Sequence, residues 1–167
     1  MIKPLLKYYD FADGVKAFSS TRKGGVSKGS FGEFNINAFC GDEDLCIAEN
    51  KKALAEELCI DVENIIIPHQ IHRIECRTIA PEFFALPDKI RMMLLDGVDC
   101  VLTDIKNLCI WVSTADCIPI LLYDDEQQKF ALIEQFRVGA MDDEQSPWQL
   151  EIIAGVLDGD ESPESCI

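Results

Sequence analysis

The sequence predicts an α/β domain, a mixed sheet with flanking helices, and three observations carry that expectation. Apolar residues recur at helical spacing between 43 and 58. Several short segments between 15 and 133 alternate or run apolar in the manner of strands. The most apolar stretch of the chain, 108–122, reads as two buried strands broken by the polar turn Thr114-Ala115-Asp116-Cys117.

Taken in order, Val15 to Ser20 reads as a short strand, followed at 21–29 by a glycine-rich basic loop, Thr21-Arg22-Lys23-Gly24-Gly25-Val26-Ser27-Lys28-Gly29. The segment Phe31-Gly32-Glu33-Phe34-Asn35-Ile36-Asn37 and then Gly41-Asp42 lead to the helix. Within it Ile47, Ala48, Leu54, Ala55 and Leu58 form the apolar face, with acids early and Lys51 and Lys52 later, as the helix dipole favours. Ile65-Ile66-Ile67 before Pro68, then Ile74, Cys76 and Thr78 in alternation, predict a strand running through His69-Gln70-Ile71-His72. Residues 80–96 are mixed and contain proline, an excursion or short helix. Val98, Cys100 and Leu102 alternate before a turn at 104–107, the two buried strands follow, and a turn at 124–127 leads to a last strand, Lys129-Phe130-Ala131-Leu132-Ile133. Beyond it the pattern deteriorates: 134–167 holds one basic residue, Arg137, against nine acids, and its end reads as a solvated, partly disordered acidic tail.

With 48% hydrophobic residues in 167, the chain is long enough for one domain with a true core. A formal charge of −15 opposes nonspecific attachment to nucleic acid or to an anionic membrane, so neither is an expected partner. No signal segment opens the chain and no apolar run approaches the ~20 residues of a membrane span, which points to a cytoplasmic protein. None of the eight cysteines forms a Cys-x-x-Cys pair, and most are expected as small core hydrophobes in a reducing compartment. Cys117 is set apart by its place at a strand end. A thiol there can serve as nucleophile or metal ligand, and the imidazoles available to partner it are His69 and His72. Strand alternation would put His69 and His72 on different faces, which leaves His69 out of the set.

Four segments together resemble the laccase-domain family of bacterial proteins, also described as multicopper-polyphenol-oxidase-like or YfiH/YlmD-like, which act as purine nucleoside phosphorylases. They are Phe18-Ser19-Ser20-Thr21-Arg22-Lys23-Gly24-Gly25-Val26-Ser27; Asn35-Ile36-Asn37 with Gly41-Asp42 and Glu49-Asn50-Lys51; Gln70-Ile71-His72; and Thr114-Ala115-Asp116-Cys117-Ile118-Pro119-Ile120. The resemblance covers roughly 15–133, so 1–133 is expected to be the N-terminal part of a laccase-like domain, incomplete at its C-terminus, and 134–167 a divergent tail.

The resemblance implies phosphorolysis of a purine nucleoside such as adenosine or inosine, with adenosine deamination as a related activity, and a zinc ion held by His72 and Cys117. The family's third ligand is a histidine opening a His-Ala-Gly-Trp-Arg-Gly motif, but Glu134-Gln135-Phe136-Arg137-Val138-Gly139 stands in its place. Two ligands where a catalytic zinc generally has three imply weak zinc binding and an impaired enzyme, unless the Glu134 carboxylate replaces the lost imidazole. A reading-frame shift near codon 134 would account at once for the lost motif, the early stop and the acidic tail. Arg22 suits phosphate through its bidentate guanidinium. Asn37 matches a position near the family's pocket and equally fits a turn former, and Asp116 is assigned to orienting the loop or a ligand. Copper is not expected, since two histidines cannot build a multicopper centre. Two other readings stay open: a cysteine hydrolase using Cys117 and His72, and a noncatalytic truncated pseudoenzyme.

Overall fold

The computed structural model describes residues 2–114 and, beyond them, only the backbone of strand segments at 118–119, 123–124, 129–130, 133–136, 148–151 and 154–155. In chain order the described elements are β1 (Leu6–Ala12), β2 (Val15–Ser20), α1 (Asp44–Leu58), β3 (Ile65–Ile66), β4 (Cys76–Thr78), α2 (Asp88–Leu95), β5 (Cys100–Leu102) and β6 (Cys109–Ile110). The architecture is mixed α/β, as the sequence predicts: β1 pairs antiparallel with β2, whereas β3 with β6 and β4 with β5 pair in parallel. No helix among the described residues is long and apolar enough to cross a membrane.

The isoleucine run at 65–67 is explained by burial on both sides of β3. Successive side chains of a strand point to opposite faces. Ile65 therefore joins a cluster with Phe34, Ile36, Leu54, Ala55 and Leu58, while Ile66 joins another with Ile79, Phe83, Val98 and Val101. Helix α1 supplies Leu54, Ala55 and Leu58 to the first cluster, and the 3-10 turn at Pro81–Ala85 supplies Phe83 to the second, with Leu94 and Leu95 of α2 packed against it.

Helix α1 begins one residue after Glu43 and ends at Leu58, where Cys59 takes the left-handed conformation usually left to glycine and its N–H closes on the Ala55 and Glu56 carbonyls. Its buried face contains Ile47, Ala53, Leu54, Ala55 and Leu58, but Ala48 is exposed and a polar residue, Asn50, is fully buried. A buried amide must find partners. Asn50 Oδ1 accepts the Val26 N–H at 2.9 Å, and its Nδ2 reaches Ser27 Oγ at 2.9 Å, the Asn35 carbonyl at 2.9 Å and the Glu33 carbonyl at 3.3 Å. One helical side chain thus ties the glycine-rich loop to the segment after it. A methyl group on Gly25 would lie 2.3 Å from the Glu33 carbonyl oxygen and 2.4 Å from Asn50 Oδ1, so the tie requires glycine there.

Three expectations need correction. The strand through 65–78 is broken: β3 stops at Ile66, Pro68 interrupts the ladder, and His72 has φ 62, outside any extended conformation. Most of the described cysteines are not core residues: Cys40, Cys59 and Cys76 are exposed and Cys46 and Cys100 only partly covered. Cys109 packs against the first cluster, and burial pushes its thiol up to about 11. Of the two buried strands expected in 108–122, the first is only Cys109–Ile110, with Ile110 44% exposed because it lies opposite β3 at an open edge.

Strand β1 has no counterpart among the predicted elements, since the Tyr8-Tyr9-Asp10 stretch lacks clean alternation; pairing with β2 creates it, with Tyr8 opposite Phe18. In the later chain Ile133–Phe136 pairs antiparallel with Trp148–Glu151, and Ala154–Gly155 with Ile118–Pro119. The expected disorder of the acidic end concerns residues outside the described ones.

Asn50→Ala removes an acceptor for the Val26 amide and the donor to two carbonyls at once, and should lower the unfolding free energy by about 3 kcal/mol in denaturant titration. A loss below about 0.5 kcal/mol, the size of an ordinary surface change, would contradict the tie.

Candidate active site

The anchored loop forms one wall of an open cleft of about 440 Å³, within the range of small-molecule sites. Arg22, Ser30 and Phe31 line it from the loop, Asn35 and Asn37 from the following segment, and Trp111, Ser113 and Thr114 from the far side. It combines aromatic faces with hydroxyl, amide and guanidinium groups.

Arg22 is exposed at this wall yet fixed at its base. Its guanidinium donates to the Ser30 carbonyl, and its own carbonyl accepts the Glu33 and Phe34 N–H groups at 2.8 and 3.2 Å. Gly32, at φ 70, lets the side chain lie across the loop, since a methyl group there would meet Arg22 Cβ at 2.9 Å and Nε at 3.0 Å. The arginine is therefore held by the loop it belongs to.

Asn35 and Asn37 shape the opposite rim through local side-chain bonds of the kind that suit Asn in turns. Asn35 Oδ1 accepts the Asn37 N–H at 3.0 Å, and Asn37 Oδ1 accepts the Phe39 N–H at 2.8 Å. Asn37 is thus a turn former that also lines the cleft, where its Nδ2 reaches Ser113 Oγ at 3.4 Å. The network continues to Asp42, which accepts the Ser27 hydroxyl at 2.7 Å, the Asn35 amide at 2.9 Å and the Glu43 N–H at 2.8 Å. The Ser27 hydroxyl and these other donors hold the Asp42 carboxyl below its ordinary range.

The Gln70-Ile71-His72 segment meets the cleft through Gln70, whose Oε1 accepts the Ser113 N–H at 2.7 Å. His72 is exposed and does not line the cleft itself. Its loop is fixed by a residue that no sequence motif marks: Asp99 Oδ1 accepts the Ile71 and His72 N–H groups at 3.0 and 2.8 Å, and Oδ2 accepts that of Arg73 at 2.9 Å. The available signal was an acid set between the core positions Val98 and Val101. Strand alternation, which excludes His69 from the sequence-predicted set, lapses with the strand; His69 Nδ1 pairs with Asp96 Oδ1 at 2.6 Å while its ring stacks on Phe39 at 4.1 Å.

Arg22 and Asn37 are thus brought to one cleft, with Thr114 opening the Thr-Ala-Asp-Cys element at its edge. Cys117, Asp116 and the Glu134 side chain lie outside the described residues. Among the described residues no three His, Cys, Asp or Glu side chains gather as a metal site. Among the described residues His72 contributes an exposed imidazole, a nitrogen donor of the kind zinc takes, on a backbone held by Asp99, whereas the ring of the other histidine, His69, is engaged by Asp96.

Comparison with known proteins bears on the family and the fold. Residues 16–142 match the model of the family described as multi-copper polyphenol oxidoreductase laccase. The chain is 33% identical over 119 residues to a purine nucleoside phosphorylase of Bacteroides thetaiotaomicron, covering 71% of this chain and 44% of that protein. It is 33% identical over 124 residues to adenosine deaminase RL5 of an unknown prokaryotic organism, covering 72% and 47%. Among solved structures it is similar to YlmD from Geobacillus stearothermophilus, with TM-score 0.56, 28% identity, and coverage of 65% of this chain and 40% of that one. The hypothetical protein YfiH of Bacillus licheniformis gives TM-score 0.57 at 25% identity, covering 68% and 42%. The chain spans less than half the length of these relatives.

Gln70→Ala strips the Ser113 N–H of its acceptor and should lower stability by about 1 kcal/mol in chemical denaturation, whereas Gln70→Glu, which keeps an oxygen in place, should lose less. Equal losses in the two variants would show that this bond does not join the histidine segment to the cleft.

Proposed function

The chain belongs to the multi-copper polyphenol oxidoreductase laccase family, and from that premise we propose that it is a purine nucleoside phosphorylase domain with an impaired zinc site. The observation that carries the reading is Arg22, an exposed guanidinium braced by the Ser30 carbonyl at the wall of a cleft large enough for a small molecule. Relatives named purine nucleoside phosphorylase and adenosine deaminase support the substrate class.

In phosphorolysis a phosphate oxygen bonds to the anomeric carbon of the nucleoside while the C–N bond to the purine breaks. The departing base keeps the electron pair and takes up a proton; the products are the free purine and ribose 1-phosphate. The protein must bind an anion beside a neutral ligand and hold the two in line. Arg22 offers paired N–H donors for phosphate, and its fixed loop spares the cost of ordering it on binding. Trp111 and Phe31 offer apolar faces for a base, and Asn37 and Ser113 offer amide and hydroxyl groups for a sugar.

Zinc would be held by the His72 imidazole and the Cys117 thiolate, without the third imidazole of the family. Bound there, the ion would supply Lewis acidity and would lower the pKa of a water molecule. Asp116 is assigned to orienting the Cys117 loop. With two ligands where a catalytic zinc generally has three, zinc uptake should fall below one ion per chain at stoichiometric metal, and full occupancy would contradict the impairment.

Phosphate-dependent release of hypoxanthine from inosine tests the reading. Wild-type protein should release base only when phosphate is present, and Arg22→Ala should raise the KM for phosphate at least about tenfold, the loss of one charge-assisted contact, with Arg22→Lys in between. Base release that ignores phosphate, or an unchanged KM in Arg22→Ala, would remove the assignment. Rapid alkylation of Cys117 by iodoacetamide in metal-free protein would instead favour a thiol hydrolase.

A further inference from the structure

We propose that Asp99 is a positioning residue that sets the direction of His72, an inference that rests on the reading of His72 as a ligand in the nucleoside site. Three consecutive amides, those of Ile71, His72 and Arg73, converge on the single Asp99 carboxylate at 2.8 to 3.0 Å. Successive N–H groups that point inward form a concave nest for an anion, and here the anion is supplied by the chain itself. The nest requires the backbone to turn, and His72 carries the turn at φ 62, a conformation sparsely used by residues with a Cβ. Charge-assisted bonds on both sides of it offset that strain.

The neighbours of Asp99 show that the contact is part of a longer template. From 95 to 99 the chain runs beside the loop at 69–73. The Leu95 carbonyl accepts the His69 N–H at 2.9 Å, and Asp96 holds the His69 ring. Gly97, at φ 72, passes so close to Ile71 that a methyl group on it would meet Ile71 Cδ1 at 3.3 Å. Val98, fully buried, fixes this segment in the second hydrophobic cluster. The histidine loop is therefore registered against the core through a strap whose last residue grips the backbone around His72. A loop of exposed residues at 71–73 gains the fixity of a core element, which a metal ligand needs and a surface turn does not.

The test uses the full chain, isotopically labelled, with zinc alone as the probe. In wild-type protein the amide proton signals of Ile71, His72 and Arg73 should lie downfield, and in Asp99→Asn all three should move upfield together. The zinc Kd by chelator competition should rise about 10- to 100-fold in Asp99→Asn, the range seen when groups that orient metal ligands are altered. Asp96→Asn, which loosens the same strap at His69 but leaves the three amides paired, should leave the zinc Kd unchanged. Amide signals that do not move in Asp99→Asn overturn the positioning role, as does an unchanged zinc Kd in folded Asp99→Asn. A wild-type chain that takes up no zinc overturns the metal reading, and the amide shifts of metal-free Asp99→Asn, which need no zinc, then decide on Asp99 by themselves.

Discussion

A single buried amide organises the cleft. Asn50 turns both the oxygen and the nitrogen of its amide to the loop above α1 and the segment after it, so that Val26, Ser27, Glu33 and Asn35 are held against one rigid helix. An unpaired amide at that depth would cost on the order of 1–3 kcal/mol, which makes any arrangement that releases the loop unfavourable. Gly25 is the steric counterpart, because the approach of Glu33 and Asn50 leaves no room for a side chain. Arg22, Asn35 and Asn37 inherit their places from this tie.

The opposite side of the site depends on a different device with the same logic. Strand β3 buries Ile65 and Ile66 in two separate clusters and then ends, so the chain leaves a well-packed core just before Pro68. The loop at 69–73 has little packing of its own and is ordered by bonds to the 95–99 segment and, through Gln70, to Ser113. Polar bonds to core-anchored backbone take over where hydrophobic burial stops. Such division of labour is common where a site must be open to solvent and still fixed in shape.

The fold was legible where burial dictated sequence. The periodicity of 43–58 located α1 to within a residue, the short segment Val15 to Ser20 located β2, and the β-branched run at 65–67 located β3. It was illegible where pairing or polar anchoring decided the outcome: β1 exists because β2 pairs with it, and the 67–75 turn exists because Asp99 and Pro68 impose it on residues that alternate like a strand. Of the candidate site, Arg22 and Asn37 were legible through the motifs around them, and the structure joins them in one cleft. Asn50 appeared only as part of a motif, and Asp99 and Ser113 not at all, since Asp99 binds backbone groups and Ser113 binds side chains far away in sequence, which leaves no local pattern. The structural relatives share this mixed architecture, and the chain's match to its family extends over most of the described residues.

The integrity of the cleft therefore turns on whether the glycine-rich loop is a fixed wall or a mobile flap. Native-state hydrogen exchange at the Val26 amide answers this directly, because that proton is donated to the buried Asn50 oxygen. It should exchange only through global unfolding, with an opening free energy equal to that from denaturant titration. Exchange through a local opening of far lower free energy, while the amides of α1 stay protected, would mean that the loop comes and goes independently and that Asn50 does not build the site.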